Sequence, residues 1–271
     1  MPELPEVETV VRGLRPVLVG QRLARVTLHR EGLRKPFPDG LVQRLVGATV
    51  TGIERRAKYG LIATDRDDTL VFHLGMSGRM RLDPVEHGKH DHAVFVTGEA
   101  RTIAFNDARR FGSLDLVATA ALPGYTPFAG LGVEPFGPDL TPVYLHDAFA
   151  GRTAPIKPLL LDQRIVAGLG NIYACEALYH AGIDPRRAAC SVSRVRLAKL
   201  VPAIRSVLES AIAAGGSSLR DHVQVDGTLG YFQKSFAVYD CEGDQCLDGR
   251  GVVERIVQGG RSTFFCAHRQ R

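Results

Sequence analysis

TLVFHLG (69–75), HAVFVTG (92–98), RTIAFND (101–107) and GSLDLVA (112–118) set the reading of this chain. Each run is short, rich in β-branched and aromatic residues, and bounded by Gly, Asn or Asp, the composition of strands separated by tight turns. Upstream, RLARVTLHR (22–30), TVTGIERR (49–56) and GLIATDR (60–66) continue the pattern. Together they predict a two-layer antiparallel β-sandwich from about 20 to 118. Ahead of it, Val7, Val10, Val11, Leu14 and Leu18 recur at helical spacing, and Pro5 suits a first helical turn, so a helix is predicted over 5–19.

Downstream the period changes. Residues 119–140 are rich in Pro and Gly and read as a linker. Helices are predicted over 142–150, 155–163, 172–182 and 193–214, the last with Pro202 as a kink or first turn. After a polar stretch, 216–229, the chain closes with strand-like SFAVYD (235–240), VVERIVQ (252–258) and STFFC (262–266). The expected class is α+β. A sandwich domain with its N-terminal helix spans 1–118, a linker 119–140, a helical domain 141–230, and a small β-hairpin 231–271.

With 271 residues, 45% hydrophobic and 23% charged, the chain is long enough for about two folded domains. No run of about 18 apolar residues is present, so no membrane span is expected. The charges scattered through the first twenty residues argue against a secretory signal, and a cytoplasmic location is expected. A net charge of +5 suits a polyanionic partner, nucleic acid first. Five cysteines, an odd number, argue against a disulfide framework in such a compartment. Cys175 and Cys190 read as small buried hydrophobes.

The opening Met-Pro-Glu-Leu-Pro-Glu carries chemistry of its own. Removal of Met1 would leave Pro2 with a free secondary amine, and a terminal amine with a pKa of about 7.7–8.0 is partly neutral and nucleophilic near pH 7. Such a group attacks an aldehyde-like carbon to give a Schiff base. Glu3 beside it could protonate an oxygen of the same substrate. The plainer alternative is that Pro2 and Pro5 only stiffen the approach to a helix.

The motifs MPELPEVET (1–9), ERRAKYG (54–60), HLGMSG (73–78), KHDH (89–92), NDARRFG (106–112), GLGNIYACEAL (168–178), GGSSLRD (215–221), GYFQKSFAVY (230–239) and QGGRSTFFC (258–266) span nearly the whole chain. In this order they resemble the formamidopyrimidine-DNA glycosylases, enzymes that excise 8-oxoguanine and ring-opened purines. Leu4 after Glu3 favours that oxidised-purine branch over the endonuclease VIII branch, which typically reads Gly there. The resemblance implies a glycosylase with AP-lyase activity acting as a monomer on double-stranded DNA, nucleoid-associated, with no cofactor for the chemistry. It implies Pro2 as nucleophile, Glu3 as acid and Lys58 in proton transfer during strand cleavage. Met76, Arg109 and Phe111 match the residues that fill the void left by a flipped base. His90, Arg109, Arg152, Asn171 and Lys157 match backbone-contacting or neighbouring site positions. Glu176 is a second-tier candidate, Arg261 at the hairpin tip is grouped with the catalytic residues through a contact with phosphates flanking the lesion, and 216–229 matches a loop that closes over the extruded base. Ala108 replaces a proline usual in the family, which bears on the stiffness of its loop. Oxidised-pyrimidine specificity, or a lesion-binding protein without chemistry, are the alternatives.

The resemblance also implies a zinc finger of two Cys pairs at the C-terminus, and here the sequence departs. Cys246 and Cys266 match one ligand of each pair, but Gly249 and Arg269 occupy the partner positions. Two readings follow. Cys241, Cys246, Cys266 and His268 could form a rearranged site, or the hairpin could hold its shape without metal. The second is preferred, because a structural zinc needs four protein ligands and the Cys-x-His spacing places side chains on opposite faces of an extended strand.

Overall fold

The computed structural model describes residues 2–217 and 224–271, in two compact units. The first comprises residues up to Ala129 together with Ala214–Tyr231; the second comprises Gly130–Ala213 and Phe232–Arg271.

The first unit opens with helix α1 (Leu4–Leu18), followed by β1 (Leu23–Leu28) and the short α2 (Leu41–Leu45). Strands β2 (Val50–Arg56), β3 (Tyr59–Thr64), β4 (Asp68–His73), β5 (Arg79–Leu82), β6 (Asp91–Thr97), β7 (Thr102–Asn106) and β8 (Ser113–Ala118) follow. They form two antiparallel four-stranded sheets, ordered β1-β6-β7-β5 and β2-β3-β4-β8. The inward residues merge into one core: Phe95, Ile103 and Phe105 from the first sheet, Ile53, Leu70 and Phe72 from the second, and Val7, Val10, Leu14 and Leu18 from α1. Alternation places these side chains on one face of each strand, and their burial is the main force holding the sheets together. The predicted sandwich and its leading helix are therefore present.

Residues 119–140, read as a linker, contain the boundary between the two units, at Ala129 and Gly130, and carry structure of their own on either side of it. Residues 119–124 form a 3₁₀ helix and α3 (Thr126–Ala129) follows, both within the first unit. Phe128 stacks edge-on against Tyr59 at 5.3 Å and Tyr125 at 4.9 Å, and the Tyr125 hydroxyl donates to Asp115 at 2.6 Å. Residues 130–140 belong to the second unit, where Arg205 donates to the carbonyls of Pro135, Gly137 and Leu140. Pro and Gly here shape docked turns.

The second unit contains α4 (Pro142–Phe149), α5 (Ile156–Leu160), α6 (Asn171–Ala181) and α7 (Arg194–Ala213), and the hairpin β9 (Glu254–Gln258) and β10 (Arg261–Phe265). Helix α7 runs through Pro202 without interruption. The predicted strand at 235–240 does not form. Ala237, Val238 and Tyr239 give their N–H groups to the Glu176 carboxylate at 2.8–3.0 Å, so that backbone has no sheet partner to seek. The polar stretch 216–229 divides as well. Its ends lie in the first unit, with Val225 in the sandwich core, while 218–223 lie outside the described residues.

Candidate active site

The start of α1 is fixed by its own carboxylates. Glu3 is the N-cap, and Glu6, three residues on, completes a capping box by accepting the Glu3 N–H at 2.8 Å. The second Glu6 oxygen accepts the N–H of Ser217 at 2.9 Å, tying residue 217 to the helix start. Pro2, Glu3 and Glu6 are all buried. Two anchors set the direction of α1 over β2: Glu8 pairs with Arg55 at 3.0 Å, and Arg15 donates to the Ile53 carbonyl at 2.9 Å. The helix therefore runs against β2, and its N-terminus is directed towards the β2–β3 turn. Burial would raise the Glu8 carboxyl, but Arg12 and Arg55 outweigh it and hold it below the usual carboxylate range.

That turn is Ala57-Lys58. Ala57 adopts φ 51°, a conformation costly for a residue with a Cβ, so the chain reverses in two residues. Lys58 is only 8% exposed, unlike most lysines, which are solvated. His73, at the end of β4 and opposite Tyr59 in register, shares this corner. Burial first, then the positive charges of Lys58 and Arg34, push its imidazole down to about 4. It is thus neutral near pH 7. Its Nδ1 accepts the N–H of Gly75 at 3.1 Å, which leaves the proton on Nε2.

The candidate void-filling residues stand on two adjoining loops. Gly75 lies at φ 63°, and a Cβ there would come within 2.4–2.5 Å of the Phe111–Gly112 backbone, so only glycine lets the loops approach this closely. Asp107, wholly buried, accepts from Ser77 Oγ at 2.6 Å, from the Arg109 N–H at 3.3 Å and from the Gly112 N–H at 2.7 Å. Its carbonyl meets His92 Nε2 at 2.8 Å, and its N–H donates to the His90 carbonyl at 3.0 Å. This frame keeps the loop ordered with Ala108 in place of proline. On it, Met76 and Phe111 are 38% and 42% exposed, and the exposed Arg109 guanidinium lies 5.1 Å over the Phe111 ring. Large apolar side chains held out from a rigid frame suit insertion into a stack.

In the second unit, Asn171 is the first residue of α6. Lys157, expected among the DNA contacts, is completely buried. Its ammonium donates to Asn171 Oδ1 at 2.5 Å, the Ser262 carbonyl at 3.1 Å and Thr263 Oγ1 at 2.9 Å, which makes it a positioning group. Asn171 also donates to the Ser262 carbonyl at 3.0 Å, so helix and hairpin are locked together. Arg152 is exposed, with its Nε on the Ala148 carbonyl at 3.0 Å. Arg261 is exposed and follows the turn Gly259-Gly260, both with positive φ (56° and 74°), the two-residue hairpin connection that matches strand twist.

The donor set of the finger does not fit a tetrahedral zinc. Cys246 and Cys266 are joined in a single disulfide, a pairing not anticipated when a disulfide framework was argued against. Gly249 and Arg269 supply no thiolate. Among the described residues the only other candidate ligand gathered with these sulfurs is Asp248, so Cys241 and His268 do not complete a site and the rearranged Cys₃His reading fails. Cys241 instead hydrogen-bonds the Tyr239 carbonyl, and His268 is exposed. Cys175 is buried as expected, whereas Cys190 is exposed.

Sequence reading missed Glu6 and His73. The Glu-x-x-Glu spacing at 3–6 was the available signal for the first. The second gave none, because only the fold sets His73 beside Lys58 and Arg34.

A two-layer sandwich, an asparagine at the start of a helix and a β-hairpin packed on that helix make up the architecture of this chain. Residues 1–114 match the formamidopyrimidine-DNA glycosylase N-terminal domain, and residues 131–223 match the formamidopyrimidine-DNA glycosylase H2TH domain. The formamidopyrimidine-DNA glycosylases of Novosphingobium aromaticivorans and Rhizorhabdus wittichii are 63% and 60% identical over 271 residues, covering all of each chain. Among solved structures, a Lactococcus lactis FPG mutant bound to Fapy-dG-containing DNA superposes with a TM-score of 0.91 at 33% identity, covering all of both chains. The wild-type L. lactis protein with DNA containing an oxidised pyrimidine gives 0.90, also at 33% identity over both full chains. The chain belongs to the formamidopyrimidine-DNA glycosylase family.

Proposed function

We propose that this protein is a bifunctional DNA glycosylase and AP lyase that removes oxidised purines from double-stranded DNA, acting as a monomer. The observation that carries the reading is the buried Lys58 turn towards which the capped start of α1 is directed. In this scheme Pro2, freed of Met1, attacks C1′ of a flipped nucleotide. The base leaves and an imine remains, with Glu3 protonating the ring oxygen as the sugar opens. The imine acidifies the 2′ hydrogens, and β- then δ-elimination, with Lys58 moving protons, cuts the strand. Met76, Arg109 and Phe111 fill the vacated stack. His90, Arg109, Arg152, Asn171 and Arg261 hold phosphates, and this grip supplies most of the affinity. The scheme invokes no metal or organic cofactor.

The relatives' names and the Fapy-dG complex support purine lesions. The oxidised-pyrimidine complex of the L. lactis relative makes thymine glycol the fair competitor substrate. Borohydride trapping on untagged protein tests the chemistry: wild type should form a covalent adduct that mass spectrometry locates at Pro2, and Pro2→Gly should lose it. An adduct elsewhere, or none, would overturn the mechanism, and faster excision of thymine glycol than of 8-oxoguanine would overturn the specificity.

A further inference from the structure

We propose that the C-terminal hairpin is closed by a Cys246–Cys266 thiol–disulfide couple in place of a metal, and that oxidation of this couple tightens the hairpin's hold on DNA. The proposal rests on the reading of the hairpin as a DNA grip. The two cysteines are 20 positions apart, with Cα atoms 6.3 Å apart, and they flank the hairpin: β9, the glycine turn and β10 all lie between them. The bond thus ties the open end of the ribbon whose tip presents Arg261.

Both sulfurs are enclosed, at 2% and 0% exposure, in an apolar cluster with Cys175, Tyr179, Val253 and Phe264. The positions where a second thiolate pair would sit serve other ends. The Gly249 N–H closes a turn onto the Cys246 carbonyl at 2.8 Å. Arg269 donates to the Tyr179 carbonyl at 3.3 Å and lays its guanidinium 4.8 Å from the Tyr179 ring centroid. Gln270, buried, accepts the Cys266 N–H at 2.8 Å and donates to the Ile183 carbonyl at 2.9 Å. These contacts hold the backbone around Cys266 without help from the bond, which keeps that sulfur in place for the bond to re-form.

In a reducing compartment a bond of this kind is a transient, redox-sensing one. Closure removes two protons and two electrons from the thiols. A small-molecule disulfide of the glutathione type takes them up and leaves as two thiols. Opening is the reverse exchange, and it returns conformational freedom to the ribbon.

The test uses untagged full-length protein equilibrated in oxidised or reduced glutathione, then denatured without reductant and alkylated. Oxidised protein should take up three alkyl groups, on Cys175, Cys190 and Cys241, and reduced protein five. Fluorescence anisotropy with a duplex carrying an abasic-site analogue should give a Kd about tenfold lower for the oxidised form, unchanged by EDTA. The double variant Cys246→Ser with Cys266→Ser should bind like reduced wild type in both buffers. Five alkyl groups in both buffers, or one zinc per chain whose removal weakens binding, would overturn the couple. Equal affinities of the two forms would overturn its link to DNA. Failure of both forms to bind DNA would instead sink the grip reading, since the thiol count judges the bond without DNA.

Discussion

Asp107 in the first unit and Glu176 in the second are both fully buried carboxylates, and each gathers three donors. Asp107 works at short range. Two of its donors, the N–H groups of Arg109 and Gly112, lie within five positions, and only Ser77 comes from elsewhere. Glu176 works at long range, capturing three consecutive N–H groups 61–63 positions away. The first shapes a loop from within, whereas the second fastens a helix to a distant segment. A polar group buried without its partner costs more than the bond itself contributes, so both segments depend on their carboxylate.

The largest effect expected from this contrast is that of Glu176→Ala. Three N–H groups, two of them buried, would lose their acceptor, for a cost of about 3–5 kcal/mol. Thermal unfolding should drop by roughly 10 °C. Asp107→Ala should cost less, about 2–3 kcal/mol, because its loop can relax towards solvent. If Arg109 and Phe111 fill the stack as proposed, its excision rate should nevertheless fall by about a hundredfold, because the loop that carries them would be displaced. Single-turnover kinetics beside a melting curve separates the two readouts. If Asp107→Ala proved the more destabilising, or left excision intact, the contrast would be wrong. The smallest effect is that of Ala108→Pro. With Asp107 already ordering the loop, proline should add only about 0.5 kcal/mol and leave excision unchanged. A large gain in activity would mean that the carboxylate frame is looser than its hydrogen bonds imply.

The same contrast explains what could be read in advance. The sandwich and α1 were legible because apolar residues repeat with period two or at helical spacing, a signal local to each element. The exposed positions of Met76, Arg109 and Phe111 lie in short motifs that could be singled out in advance. The role of Glu176 was not legible, and the error at 235–240 follows from the same cause: an apolar run looks like a strand until something remote captures its N–H groups. Lys157 likewise was placed among the DNA contacts, because nothing near it in sequence announces Asn171, Ser262 and Thr263 as partners. The cysteines misled in another way. The count excluded a framework of several bridges, but it was silent on a single pair that folding brings together.

At the hairpin tip, a side chain added at Gly259 or Gly260 would encounter no atom within 4 Å. Space is not what limits these two positions; handedness is, at about 1 kcal/mol for each L-residue forced into the mirror-image region. Part of any intolerance to substitution there would therefore report on backbone chirality, before any contact that the tip makes with DNA is counted.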